Sequence, residues 1–165
     1  MDKFGRIILL QNVVFLGGGK AMTDSKYFRD RPCVVLGETD TEIFVLPLSS
    51  NYGFSCNEYN YSLHNDDIDA SNKFIFNDLS YVKVNNLLKK NLYYYNDCGY
   101  LRRESYMGLL KLIKKHIDKL KKNPLNGEIY QEYELELDRQ LKILSSKTLK
   151  RRGKWDLRML KVLMR

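Results

Sequence analysis

Apolar and polar positions follow two patterns along this chain. Up to about residue 90 the apolar runs are short and rich in β-branched residues, whereas beyond residue 104 they recur at three- and four-residue spacing. Residues 5–16, GRIILLQNVVFL, are too β-branched for a helix and read as a strand pair or one bent strand. The densest stretch is 29–50, RDRPCVVLGETDTEIFVLPLSS. Its two apolar runs, Cys33–Leu36 and Ile43–Leu48, flank the polar Gly37–Glu42 and predict a hairpin. Residues 73–84, KFIFNDLSYVKV, alternate well enough for two more strands. Five or six short strands before residue 90 fit a small, twisted antiparallel barrel.

The helical half begins near Glu104. Leu109, Leu110, Ile113, His116, Ile117 and Leu120 predict one face of a helix running to Lys122, with Lys111, Lys114, Lys115, Lys119, Lys121 and Lys122 on the other. Asn123-Pro124-Leu125-Asn126-Gly127 ends it. A second helix is predicted from about Glu128 to Ser145, striped by Tyr130, Tyr133, Leu137, Leu141 and Leu144. Gly153 sets off a short third one with Trp155, Met159, Leu160, Val162 and Leu163. The expected class is α+β: one domain over 1–146, with the barrel at about 1–90 and helices at about 104–146. A basic amphipathic tail, 147–165, follows.

Composition narrows the class. With 44% hydrophobic and 29% charged residues the chain has the make-up of a soluble globular protein, and no apolar run approaches the ~18 residues of a membrane span. The start, Met1-Asp2-Lys3-Phe4, lacks the features of a signal peptide, and Cys33, Cys56 and Cys98 form no CxxC pair. Reduced thiols in a cytoplasm are therefore expected, rather than a disulfide framework or a metal site. Charge is lopsided. Residues 147–165 hold eight of the 28 basic residues and one of the 20 acidic ones, leaving the rest of the chain nearly balanced. Such a tail binds a polyanion or is simply solvated.

Several local patterns bear on chemistry. Gly17-Gly18-Gly19-Lys20 resembles a nucleotide-binding loop, but Val14 stands where that pattern needs Gly and Ala21 where it needs Ser or Thr. A glycine loop leading into Lys26 and Tyr27 suits a lid over a nucleic-acid groove equally well. In 51–72, Tyr52, Phe54, Tyr59 and Tyr61 alternate with polar residues, either as platforms for unpaired bases or as strand positions packed on the barrel. His64 and His116 lie in different elements and make no two-histidine ribonuclease site. Arg31 and Ser49 bracket the hairpin, so the returning chain brings a guanidinium and a hydroxyl to the same end of the sheet, a pair suited to phosphate. Equally, Arg31 can pair with Asp30 or Glu38, and Ser49 can merely end a strand.

The ordered motifs Gly5-Arg6-Ile7-Ile8, Arg31-Pro32-Cys33-Val34-Val35, Pro47-Leu48-Ser49-Ser50, Ser80-Tyr81-Val82 and Gly99-Tyr100-Leu101 resemble those of the MazF/PemK-like endoribonuclease toxins. In length and helical content the chain is nearest to their ToxN/AbiQ branch. The family usually has Thr where this chain has Ser49, which keeps the hydroxyl. The resemblance spans roughly 5–117 and implies an SH3-like barrel with a C-terminal helical extension.

It also implies a toxin that cuts single-stranded RNA without metal or cofactor. The RNA's 2′-hydroxyl attacks, leaving 2′,3′-cyclic phosphate and 5′-hydroxyl ends, and the outcome is growth arrest or abortive phage infection. Arg31 would stabilise the transition state, Ser49 would contact the phosphate and Ser50 would support it. Lys20, Lys26, Tyr27, Tyr52, Lys83, Lys111, Lys115, Arg151 and Arg152 are candidate RNA contacts. The implied partner is an RNA substrate plus an antitoxin, a repeat RNA in the ToxN-like branch or a small protein in the MazF branch. The resemblance implies a homo-oligomer in the MazF branch or an RNA–protein assembly in the ToxN-like branch. The competing readings are a non-catalytic barrel that binds nucleic acid and a basic adaptor whose tail binds a protein.

Overall fold

The computed structural model describes residues 5–11, 13, 16–17, 20–21, 31–49, 57–68, 79–92, 95 and 97–151. It is α+β: a curled antiparallel sheet with two C-terminal helices on one face. β1 (Arg6–Leu10) pairs with β4 (Arg31–Glu38), which forms the expected hairpin with β5 (Glu42–Ser49). A minimal ladder of β2 (Leu16–Gly17) and β3 (Lys20–Ala21) stands apart from the sheet. β5 also pairs with β7 (Leu79–Lys83) and with β8 (Leu88–Asn91), while β6 (Asn60–His64) pairs with β7 and β9 (Asp97–Tyr100) with β1.

β4 and β5 are central strands covered on both faces, which is why their sequences read as almost unbroken apolar runs. Val34, Leu36, Leu46 and Leu48 pack with the helices, while Cys33, Val35, Ile43 and Val45 pack with Ile8, Leu10 and Val13 on the other face. Thr39 closes the turn: its amide donates to the Glu42 carbonyl at 2.8 Å, and its hydroxyl accepts from the Glu42 amide at 3.0 Å. Gly5 opens β1 at φ 67°, and a Cβ there would meet the Tyr106 ring at 2.8 Å, so only glycine fits.

α1 (Arg103–Leu120) buries Tyr106, Leu109, Leu110, Ile113, Ile117 and Leu120 in the main core, as its spacing predicts. Its first turn is tied down by Ser105, whose hydroxyl donates to Asp67 Oδ1 at 2.6 Å. α2 (Gly127–Arg151) runs past the expected end at Ser145 without a break. Its start is fixed by buried Asn126, whose Nδ2 donates to the Asn85 and Leu87 carbonyls at 3.1 and 3.2 Å. Tyr130 adds a hydroxyl that accepts from the Leu87 amide and donates to the Val84 carbonyl.

A bulge between Val35 and Gly37 interrupts the β4–β5 register. There the Leu36 carbonyl accepts from Tyr106 and Tyr133 hydroxyls at 3.2 and 3.1 Å and from Gln140 Nε2 at 2.6 Å. Gln140 Oε1 also accepts from the Tyr106 hydroxyl, so that one proton is shared between Gln140 and the strand carbonyl, and both helices are tied to β4 at this point. Burial pushes both tyrosine hydroxyls upward, so they stay protonated donors.

β8 and β9 were not among the expected strands: Leu88–Asn91 is too polar to stand out, and Asp97–Tyr100 is short and carries a glycine. Of the two strands expected in 73–84, β7 is one; residues 73–78, and the third helix expected beyond Gly153, lie outside the described residues. Among the described residues no helix is long and apolar enough to cross a membrane.

Candidate functional site

Side chains alternate across a strand, so the positions packed beneath the helices fix which neighbours point the other way. Val34, Leu48, Leu63 and Val82 lie in the helix-side core. Arg31, Ser49, Ser62, Tyr81 and Lys83 therefore belong to the opposite face.

Strand register brings these residues into line. Cys33 pairs with Pro47, and the same register continued by two residues sets Arg31 opposite Ser49. Ser49 pairs with Tyr81, and Tyr81 with Ser62. Arg31, Ser49, Tyr81 and Ser62 thus form one row across β4, β5, β7 and β6, with neighbouring backbones about 4.8 Å apart. Lys83, two residues along β7 from Tyr81, donates from Nζ to Asn60 Oδ1 at 2.9 Å and sits 5.7 Å from the Tyr81 ring centroid. Arg31 and Ser49 are both part-exposed, and the Arg31 Nε is enclosed by protein.

A third cation, Lys90, pairs with Ile43 on this face. Cys33 lies between the cations, and its thiol shows how burial outweighs them. Desolvation pushes the thiol up to about 12, although Lys90 and Arg31 pull in the other direction. Cys33 is thus a neutral core residue at ordinary pH and no nucleophile.

Of the sequence-predicted site residues, the fold gathers Arg31, Ser49 and Lys83. It does not gather Lys111 and Lys115, which are exposed on α1, on the other side of the sheet. Their helix is also less cationic than its sequence suggests: Lys114 pairs with Asp138 at 2.8 Å, Lys119 with Glu58 at 3.4 Å and Lys121 with Glu134 at 3.0 Å. Lys20 lies in β3 and Arg151 ends α2, with their side chains not described. Ser50, Lys26, Tyr27, Tyr52 and Arg152 lie outside the described residues. Of the two alternative partners of Arg31, Glu38 stands at the far end of β4 and pairs with Arg6 at 3.0 Å, and Asp30 lies outside the described residues.

Sequence reasoning missed Tyr81, Asn60, Ser62 and Lys90 as site members. Period-two alternation puts Tyr81 and Lys83 on one face, but only the register puts Tyr81 beside Ser49.

No protein-family model and no curated protein matches the sequence. What the site can do follows from its side chains. A guanidinium next to a hydroxyl offers a planar fork and a further donor to phosphate oxygens. An aromatic ring flanked by an ammonium offers a stacking surface with a phosphate contact beside it.

A cavity of about 430 Å³ lies elsewhere, between the β4 bulge and α2, lined by Arg6, Glu38, Tyr100, Glu136, Arg139 and Gln140 among others. Its charges are matched internally, Arg6 with Glu38 and Arg139 with Glu136, so it offers little to a charged ligand.

Proposed function

We propose that the protein is a metal-independent endoribonuclease acting on single-stranded RNA, with an SH3-like barrel of the MazF/PemK type and the role of a toxin held in check by an RNA antitoxin. The observation that carries this reading is the common row of Arg31 and Ser49, two donors suited to a phosphate, on the sheet face away from the helices. Two features support it. The motif segments at Gly5, Arg31-Pro32, Ser49 and Ser80–Val82 fall at β1, β4, β5 and β7, which are neighbours in the sheet. The excess of basic residues favours a polyanionic substrate.

RNA carries its own nucleophile, so the protein need only align and stabilise. The 2′-oxygen bonds to phosphorus, the bond from phosphorus to the 5′-oxygen breaks, and the 2′-hydroxyl proton is in net terms delivered to the leaving oxygen. Charge builds on the non-bridging oxygens in between. The Arg31 fork takes up that charge and the Ser49 hydroxyl donates to the same oxygens. With the row spanning the strands, the RNA backbone crosses them, and cleavage requires it to be held with the 2′-oxygen in line with the departing 5′-oxygen.

The test is induced expression of wild type beside Arg31→Ala, with growth followed and RNA 5′ ends mapped from the same cultures. Arrest with new 5′-hydroxyl ends in wild type alone supports the reading. Identical growth and ends, with both proteins soluble, refute it in favour of a non-catalytic nucleic-acid-binding barrel.

A further inference from the structure

We infer that Tyr81, Lys83 and Asn60 form a nucleotide subsite next to the Arg31–Ser49 pair, in which the Tyr81 ring stacks on the base adjoining the scissile phosphate and Lys83 holds the neighbouring phosphate of single-stranded RNA. This rests on the nuclease reading above and gives its substrate a path. The path crosses the strands, from β4 over β5 and β7 to β6.

The sheet sets the distances. Ser49 and Tyr81 are register partners, so their backbones lie about 5 Å apart. Lys83 is two residues further along β7, about 6.8 Å by strand rise. The step from Ser49 across and along to Lys83 is therefore roughly 8 Å at the backbone. A lysine stem shortens or lengthens this easily, and successive phosphates of an extended strand fall within that reach. A phosphate on Ser49 and the next one on Lys83 leave the intervening base over Tyr81.

The side chains are already arranged for this. Asn60 is the register partner of Lys83 and accepts from its Nζ at 2.9 Å. That bond holds the ammonium over the Tyr81 ring, 5.7 Å from its centroid, so the ring and the charge that would meet the phosphate sit together on this face. Tyr81 is part-exposed, and its alternation with core residues Val82 and Val84 fixes the face it occupies. Stacking on a ring tolerates any base, so this subsite gives affinity and position, and sequence preference must arise elsewhere on the protein.

The probe is a short, fluorescent, random-sequence RNA with 2′-fluoro riboses, which cannot supply the nucleophile. Its affinity is measured by anisotropy for wild type, Tyr81→Leu, Tyr81→Phe and Lys83→Gln over a range of salt, with all variants shown to be folded by circular dichroism. The same proteins are assayed for cleavage of unmodified RNA. Tyr81→Leu should weaken binding about tenfold or more while Tyr81→Phe stays close to wild type, because the ring and not its hydroxyl stacks. Lys83→Gln should flatten the dependence of log affinity on log salt by about 0.7, the loss of one phosphate contact.

Wild-type affinity in Tyr81→Leu, or an unchanged salt slope in Lys83→Gln, overturns the subsite even if the protein cleaves RNA. Binding that needs Tyr81 without any cleavage sustains the subsite and overturns the nuclease. A wild type that binds no RNA overturns both.

Discussion

Ser49 faces Tyr81 across the β5–β7 ladder, one step along from Leu48 facing Val82. That single step separates two consequences. Leu48 is 2% exposed in the helix-side core, whereas Ser49 is part-exposed on the other face. Leu48→Ala should therefore lower the unfolding free energy by about 2–5 kcal/mol and leave the cleavage rate per folded molecule near wild type. Ser49→Ala should do the reverse, costing less than about 1 kcal/mol of stability and most of the rate. Urea titrations set beside initial rates distinguish the two patterns.

The Leu36 carbonyl joins the hairpin to both helices. Gln140→Leu removes a donor to it and leaves Glu136 without a bond of 2.8 Å. A loss of about 1–3 kcal/mol is expected, visible as a lower urea midpoint with an unchanged slope. An unchanged midpoint would mean that Tyr106 and Tyr133 satisfy the carbonyl without help.

Gly127 opens α2, where alanine ordinarily gains roughly 1 kcal/mol over glycine within a helix. Here a Cβ would collide with the Lys121 carbonyl, a backbone atom that cannot swing aside. Gly127→Ala should accordingly lower the melting temperature, against the helix-propensity trend.

Cys33 makes stability depend on alkaline pH. Its thiol is pushed up from about 9 to about 12 in the fold by burial. Above pH 9 the unfolded chain releases this proton while the folded one keeps it, so stability present below pH 9 is lost as the pH rises towards 12. Cys33→Ala should flatten that part of the stability curve. Native protein at pH 8 should also resist alkylation at Cys33, measured by peptide mass spectrometry.

Lys111 and Lys115 sit across the sheet from Arg31. Replacing both by Gln should change cleavage far less than Lys83→Gln does when initial rates are compared at one moderate salt concentration, where charges beyond about 10 Å are screened. An equal loss in both would place the RNA over α1.

What could be read from the sequence, and what could not, divides along physical lines. The β4–β5 hairpin was legible because two apolar runs of the right length flank a polar turn, and α1 because its period is unambiguous. β8 was not, because Leu88-Lys89-Lys90-Asn91 owes its strand to pairing with β5 rather than to its own composition. α2 ran on past Ser145 because Ser146 through Arg151 contain no glycine or proline to stop it. The Arg31–Ser49 relation was legible only in part: the hairpin brings both residues to one end of the sheet, but the bulge between Val35 and Gly37 shifts the register by one residue and so sets which residue faces Arg31. The Ser49–Tyr81 relation was not: many residues separate them, and alternation gives a face without giving a partner. The ion pairs of Lys114, Lys119 and Lys121 were not legible for a related reason, since Asp138, Glu58 and Glu134 reach them only through the tertiary fold.

Metal-independent cleavage at Arg31 and Ser49 is measured with purified wild type, Arg31→Ala and Ser49→Ala on end-labelled single-stranded RNA in excess chelator, with the chemical ends of the products identified. The expected result is wild-type cleavage to 2′,3′-cyclic phosphate and 5′-hydroxyl ends, unaffected by chelator, with each variant slowed about a hundred- to a thousandfold. Full activity in either variant, or products with 5′-phosphate ends, would contradict it.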